Sequence, residues 1–242
     1  MKKLSIIVFL ILIFGSNSIC GQMRDFYWGD PANMGNPLPG KLMGTNYSFL
    51  VGASNNHFYH KDWNDGTILT IDHILHENIR LRYDGFHDEL IAFNVRTNGL
   101  LKVDKSTVSG FTVLPGSGKA EKYRKIMLPG IFEKTIYAEV LYEGDVQLVR
   151  SNRIEEYKTS VYKDRLGKLN NTMFLLNQQY YIVKPDQSVQ RMHAGRKPIL
   201  NLFPERKKEI RRMLRKQEVY SYRIENLPAI IRLLDENNYF GN

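Results

Sequence analysis

Between Tyr47 and Val183 the chain is cut by turn-forming residues into short runs of β-branched and aromatic residues, and that rhythm restricts the fold more than any other feature. Y-S-F-L-V, T-I-L-T-I, I-R-L-R-Y, L-I-A-F-N-V, L-L-K-V and G-F-T-V-L follow one another, with breaks at Asn64-Asp65-Gly66, Asp84-Gly85 and Thr97-Asn98-Gly99. Runs of this kind, separated by residues that reverse a backbone, predict an antiparallel meander. G-S-G-K-A-E-K then reads as a flexible loop. Beyond it, T-I-Y-A-E-V-L-Y and D-V-Q-L-V-R flank Glu143-Gly144 as a hairpin. The two-residue strand period sets Ile136, Ala138, Val140 and Tyr142 on one face and Tyr137, Glu139 and Leu141 on the other. T-M-F-L-L and Q-Y-Y-I-V form a last pair of strands before a turn at Lys184-Pro185-Asp186.

The period changes near the C-terminus. From Pro204, the residues Phe203, Ile210, Met213 and Leu214 recur at helical spacing, and Lys and Arg fill the rest of the circumference. A second helix starts near Asn226, with Pro228 tolerated in its first turn and Leu227, Ile230, Ile231 and Leu234 as its stripe. Two short helices with one apolar stripe each must bury those stripes on each other or on the sheet.

The N-terminus has its own logic. Lys2 and Lys3 precede an apolar run from Ile6 to Phe14, too short to span a bilayer at about 20 residues, followed by the small and polar G-S-N-S-I-C-G-Q. That arrangement reads as a secretory signal peptide cut after Gly21, with a cut after Cys20 as the alternative. Lipidation of Cys20 is the weaker reading, because bulky Ile19 stands where such signals want Gly, Ala or Ser. Cys20 is the only cysteine, so the mature chain has no disulfide framework, zinc-thiolate site or cysteine nucleophile. No second apolar run follows that could act as a membrane helix.

Four segments result: a signal peptide at 1–21, an irregular Gly- and Pro-rich lead-in at 22–41, an antiparallel β domain at 42–195 and a basic helical appendage at 196–242. The fold class expected is α+β and mainly antiparallel β, a meander, barrel-like or curled sheet with a small C-terminal helical pair.

The whole chain has 34 Lys and Arg against 25 Asp and Glu. The excess is concentrated: residues 191–242 hold twelve basic and six acidic side chains. An electrostatic partner would therefore meet the basic C-terminal helix, with Arg211, Arg212 and Arg215 as the binding candidates. An exported chain seldom meets nucleic acid, so an envelope protein or an anionic envelope polymer or lipid is the partner expected.

The most reactive-looking stretch is R-L-R-Y-D-G-F-H-D-E-L-I-A-F, residues 80–93. Ile79, Leu81 and Tyr83 alternate with Arg80 and Arg82, as in a strand with one apolar and one basic face. Asp84 to Glu89 then form a turn, for which Asp and Gly supply local hydrogen bonds and positive φ. Asp84, Asp88 and Glu89 are the carboxylates available to a glycan-binding or glycan-acting site, with Trp63 to stack on a sugar. Neighbours on one turn do not readily give the separation that glycoside hydrolysis needs, and D-G-F-H-D-E lacks the oxygen spacing of a calcium loop. His57 with His60 and His73 with His76 are three apart, which in a strand directs such a pair to opposite faces rather than to a shared metal, and His57 and His60 read as a loop, where the spacing constrains little. No G-x-S-x-G elbow, Walker loop or H-E-x-x-H occurs. No cofactor or metal is expected.

G-T-N-Y-S-F-L, D-W-N-D-G-T-I, L-R-Y-D-G-F-H-D-E-L and V-L-Y-E-G-D-V-Q-L-V-R, followed by the helical pair, resemble a family of uncharacterised secreted proteins common in Bacteroidota. The resemblance runs from about Lys41 to the C-terminus. It implies export and a β-rich fold, and brings no activity or catalytic residues. The reading favoured by the sequence is an exported envelope protein, a non-enzymatic binding or structural β scaffold that is periplasmic, envelope-associated or secreted. A glycan-directed protein using the carboxylates of the 84–89 turn is the alternative.

Overall fold

A computed structural model of the chain describes residues 42–48, 57–94, 98–116, 118–128, 134–163, 167, 169–193, 195–219 and 221–240. The expected signal segment and lead-in lie outside these, as does the Y-S-F-L-V run beyond Ser48.

Among the described residues eleven strands form one antiparallel sheet: β1 (Gly44–Asn46), β2 (Asn64–Thr70), β3 (Leu75–Asp84), β4 (Glu89–Asn94), β5 (Gly99–Val103), β6 (Val108–Leu114), β7 (Glu121–Leu128), β8 (Lys134–Glu143), β9 (Gln147–Lys163), β10 (Leu169–Val183) and β11 (Val189–Met192). Their order is β1-β5-β4-β3-β2-β6-β7-β8-β9-β10-β11, so the sheet is open rather than closed into a barrel. The meander is interrupted twice, because β1 pairs with β5 instead of β2 and β6 returns to pair with β2 instead of β5. Asn64-Asp65-Gly66, expected as a break, begins β2. Gly66 fits there because a Cβ would lie 2.2 Å from the carbonyl oxygen of Thr112 on β6. The segment read as a flexible loop gives way at Glu121 to β7, and T-M-F-L-L and Q-Y-Y-I-V are one continuous strand, β10, instead of a pair.

The sheet curls strongly, and its concave face buries Leu81, Tyr83, Leu90, Ala92, Leu101, Val113 and their neighbours. Four rings fill the centre. Phe111 stacks on Tyr123 at 4.6 Å, and Tyr83 and Tyr137 close around them at 5.5 and 5.0 Å. The curl brings the β3–β4 turn onto β9, where the Ile154 amide donates to the carbonyl of Gly85 at 3.0 Å. Arg80 is exposed as expected of a basic face, but Arg82 is buried. Its guanidinium lies 3.9 Å over the Phe58 ring, and its Nε donates to the carbonyl of His60.

Among the described residues three α-helices follow, one more than the expected pair: α1 (Arg196–Asn201), α2 (Lys207–Lys216) and α3 (Leu227–Glu236). Ile210 and Leu214 of α2 and Leu227, Ile230, Ile231 and Leu234 of α3 are buried, as the helical period requires. They pack with Ile199 and Leu200 of α1 on Leu148, Tyr180, Ile182 and Met192 of the sheet and on Val146 of the β8–β9 turn. Asn226 does sit at the N-cap of α3, although its side-chain amide donates to Ser221 instead of receiving from the helix. Among the described residues no helix is long and apolar enough to cross a membrane.

Candidate functional site

The turn between β3 and β4 is built by its own side chains. Asp84 pairs with Glu89 across the hairpin, and its Oδ1 accepts the amides of Phe86 and His87, each at 2.9 Å. The Asp88 amide returns to the Asp84 carbonyl at 2.8 Å, which requires Asp88 to take φ 63°, a left-handed conformation that Asp and Asn tolerate better than most residues. Gly85 is required by proximity: a Cβ there would meet Cγ1 of Ile154 at 2.8 Å and the carbonyl of Asn152 at 2.9 Å. Asp84 and Asp88 are therefore not surface decoration. They are 0 % and 4 % exposed.

Each buried carboxylate has a set of partners. Asp84 Oδ2 lies 2.8 Å from His87 Nδ1 and 3.7 Å from His57 Nε2. His87 donates through Nδ1, which leaves Nε2 of its exposed ring as an acceptor in the neutral form. Asp88 Oδ1 accepts the Tyr83 hydroxyl at 2.6 Å and the Tyr137 amide at 3.2 Å, with Arg153 Nη1 at 3.5 Å. Its Oδ2 accepts from Lys105, whose Nζ also donates to the Thr135 carbonyl at 2.9 Å and lies 4.6 Å over the Tyr137 ring. Burial pulls the Lys105 ammonium below its usual range, against the opposing pull of Asp88. Burial first, and Asp88 second, push the Tyr83 phenol well above its usual range.

A cleft of about 450 Å³ opens beside this turn. Met43, Gly44 and Thr45 form one wall, Lys102 to Lys105 a second, Lys134 and Thr135 a third, and His87, Asp88 and Glu89 the end. Glu89 is half-buried and accepts from Lys102 at 3.2 Å, a partly exposed pair of small energetic weight.

The other sequence candidates lie elsewhere. Trp63 packs on Phe93 at 5.7 Å, toward the end of β4 remote from the turn. Arg211 is half-buried on α2, and Arg212 and Arg215 are exposed on the same helix. Turn, tryptophan and basic helix therefore do not converge on one site. His73 sits in the β2–β3 turn with φ 62°, and His76 is buried in β3 with Nε2 unpartnered. His60 lies 2.9 Å from Glu121. Among the described residues no group of three or more His, Cys, Asp or Glu is placed to hold a metal ion.

A second polar cluster was missed by reading the sequence. Glu139 of β8 accepts from Arg150 at 2.7 Å and from Asn152 at 2.7 Å, and Asn152 reaches the Tyr123 hydroxyl at 3.4 Å. Tyr123 in turn donates to Glu121 at 3.0 Å. The only local signal was a lone Glu139 between Tyr137 and Leu141 on one face of β8 and Arg150 two residues before Asn152 on β9, a pattern that allows either solvent or a polar interior.

The geometry defines an open, curled antiparallel sheet with a helical layer on one end and one charged cleft against a buried, self-bonded turn. Compared with protein-family models, curated proteins and solved structures, the chain matches none of them.

Proposed function

We propose that this is an exported, non-enzymatic binding scaffold of the cell envelope, which holds a polar ligand in the cleft beside the β3–β4 turn. One observation carries the reading: the charged groups at the end of the cleft are already committed to one another. Both oxygens of Asp84 and of Asp88 accept hydrogen bonds within the protein, Lys105 donates to two acceptor residues, and Glu89 is paired with Lys102. Groups so occupied give a rigid wall of fixed shape, suited to holding a ligand, with little freedom to exchange protons with it. The charged start, short apolar run and polar exit of residues 1–21 support export.

A second reading rests on a different observation. His87 has Nδ1 on a buried carboxylate and Nε2 free, the arrangement that orients an imidazole as a general base. It would make the protein glycan-acting, with His87 as the base and Asp84 as its orienting partner.

One set of samples separates the two. Envelope glycans and muropeptides are incubated with the purified protein and assayed for binding and for cleavage. The binding reading expects retention of a ligand without turnover, weakened about tenfold in Lys134→Glu. Turnover that disappears in His87→Ala would replace it with the second reading. Export is checked by N-terminal sequencing of protein from the envelope fraction, with Gln22 as the first residue expected.

A further inference from the structure

We propose that the depression between α1 and α2 binds a phosphate group carrying two or more negative charges, at a site separate from the β3–β4 cleft. It has a volume of about 600 Å³ and is lined by Arg196, Lys197, Leu200, Asn201, Lys207 and Arg211. Four of these side chains are cationic and none is acidic. Among the described residues, none of the four makes an ion pair. Glu209, the carboxylate in the first turn of α2, is taken by Arg206 at 3.1 Å and by the Tyr239 hydroxyl at 2.9 Å.

Arg211 adds an independent sign. Its Nε is buried and has no hydrogen-bond partner in the protein. A buried guanidinium N–H is retained at a cost unless an acceptor completes it, and the depression supplies no carboxylate to do so. The two helices that carry the cations are also held in place. Ile199 and Leu200 anchor α1 in the core, and Ile210 and Leu214 anchor α2, so the depression does not have to assemble around its ligand.

The charge count selects the ligand class. A single carboxylate would leave most of the mutual repulsion among four cations unrelieved, whereas a phosphate monoester or a pyrophosphate brings two or more charges and several acceptor oxygens to one place. Guanidinium and ammonium donors both suit phosphoryl oxygens, the first as a planar fork and the second as a point charge. The same chemistry is found in soluble phosphates and in phosphate-bearing lipid headgroups.

The test uses the purified full-length protein, inorganic pyrophosphate as the soluble probe, and phosphatidylcholine vesicles with and without phosphatidic acid. Titration calorimetry should show saturable binding of pyrophosphate, weakened at least about tenfold in the Lys197→Ala, Arg211→Gln double variant. The Arg212→Ala, Arg215→Ala pair, on α2 but outside the depression, should weaken it less than about threefold. Vesicle binding that pyrophosphate displaces identifies a lipid headgroup as the source. Pyrophosphate binding without vesicle binding identifies a soluble phosphate. Absence of saturable binding overturns the proposal, as does equal loss in the two double variants, which would describe a diffuse basic surface. If Arg211→Gln disturbs the helical circular dichroism, Lys197→Ala and Lys207→Ala carry the same comparison.

Discussion

Asp88 concentrates more of the molecule than any other single residue. One buried carboxylate joins the β3–β4 turn to β8 through the Tyr137 amide, to the β5–β6 connection through Lys105, and to β9 through Arg153. Its removal leaves an ammonium and a guanidinium facing each other without their counter-charge. Asp88→Ala is therefore expected to cost about 3–5 kcal/mol, with part of the loss coming from the left-handed backbone that Ala tolerates poorly. Asp88→Asn keeps the shape and the backbone preference but loses the charge and turns one of the two acceptor oxygens into an amide donor, so its cost should be smaller by the backbone part alone. Urea unfolding of both variants checks the order, and equal losses would show that charge and lost acceptor, not backbone, account for the whole effect. This site was partly legible in the sequence. Asp and Gly placed the turn, and the closeness of Asp84, Asp88 and Glu89 was plain. Their partners were not, because Lys105 lies 17 positions from Asp88 and Tyr137 lies 49, and only the curl of the sheet brings them together.

Among the elements, those with one buried and one solvated face could be read and those without could not. The apolar positions of β3 and β6 keep the two-residue period over Ile79, Leu81 and Tyr83 and over Phe111 and Val113, all inward, although Arg82 between two of them is buried as well. β10 does not, because Asn177 and Gln178 interrupt its apolar runs. They face polar partners on β9, Glu155 and Asn152, so the polar step is still strand. β9 is 17 residues long and continues past its last partner on β8, the Arg150–Glu139 pair, as a ribbon paired only with β10. Its R-I-E-E-Y-K stretch lacks the apolar pattern that burial would impose. The two stripes of α2 and α3 were clear from period alone, yet what locks them to the sheet was not. Asp235 of α3 accepts the Tyr142 hydroxyl at 2.8 Å and the Asp145 amide at 2.9 Å, so the helix holds the β8–β9 turn by one carboxylate oxygen. Gly144 makes room for it, since a Cβ there would lie 2.2 Å from that oxygen and 2.3 Å from the Tyr142 hydroxyl. Gly144→Ala should push α3 off the turn and cost about 1–3 kcal/mol. Amide hydrogen exchange should then rise in α3 and the β8–β9 turn before it rises in β3 and β4. Uniform acceleration across the sheet would show that the helical layer and the sheet unfold as one unit.

At the scale of the whole molecule, several titratable groups are buried, and their shifts contribute to how stability varies with pH. On the acid side, burial holds the His76 imidazole below its usual value. The folded state then binds its proton less readily than the unfolded one, so the contribution is complete above 6.5 and is lost as pH falls below it. Glu121 acts lower down: burial raises its carboxyl, but hydrogen bonds from His60 and Tyr123 outweigh it and hold the group below 4.5. His76→Leu should therefore flatten the fall in urea midpoint between about pH 7 and about pH 5. The alkaline side is governed by the ring cluster that fills the curl. Burial pushes the Tyr59 phenol up to about 12 and carries Tyr83, Tyr123 and Tyr137 upward as well. A group raised in the folded state stabilises fully below its unfolded value, here 10, and that stability disappears as pH rises through the folded value. The core phenols should remain protonated after the less buried ones have titrated, until the sheet opens in one cooperative step toward 12. Phenolate absorbance followed alongside near-ultraviolet circular dichroism tests this, because the second rise in absorbance must coincide with loss of the aromatic dichroism. A single reversible titration of all tyrosines near 10, with the dichroism intact, would mean that water reaches the cluster and that Tyr83, Phe111, Tyr123 and Tyr137 do not form the sealed core on which the curl depends.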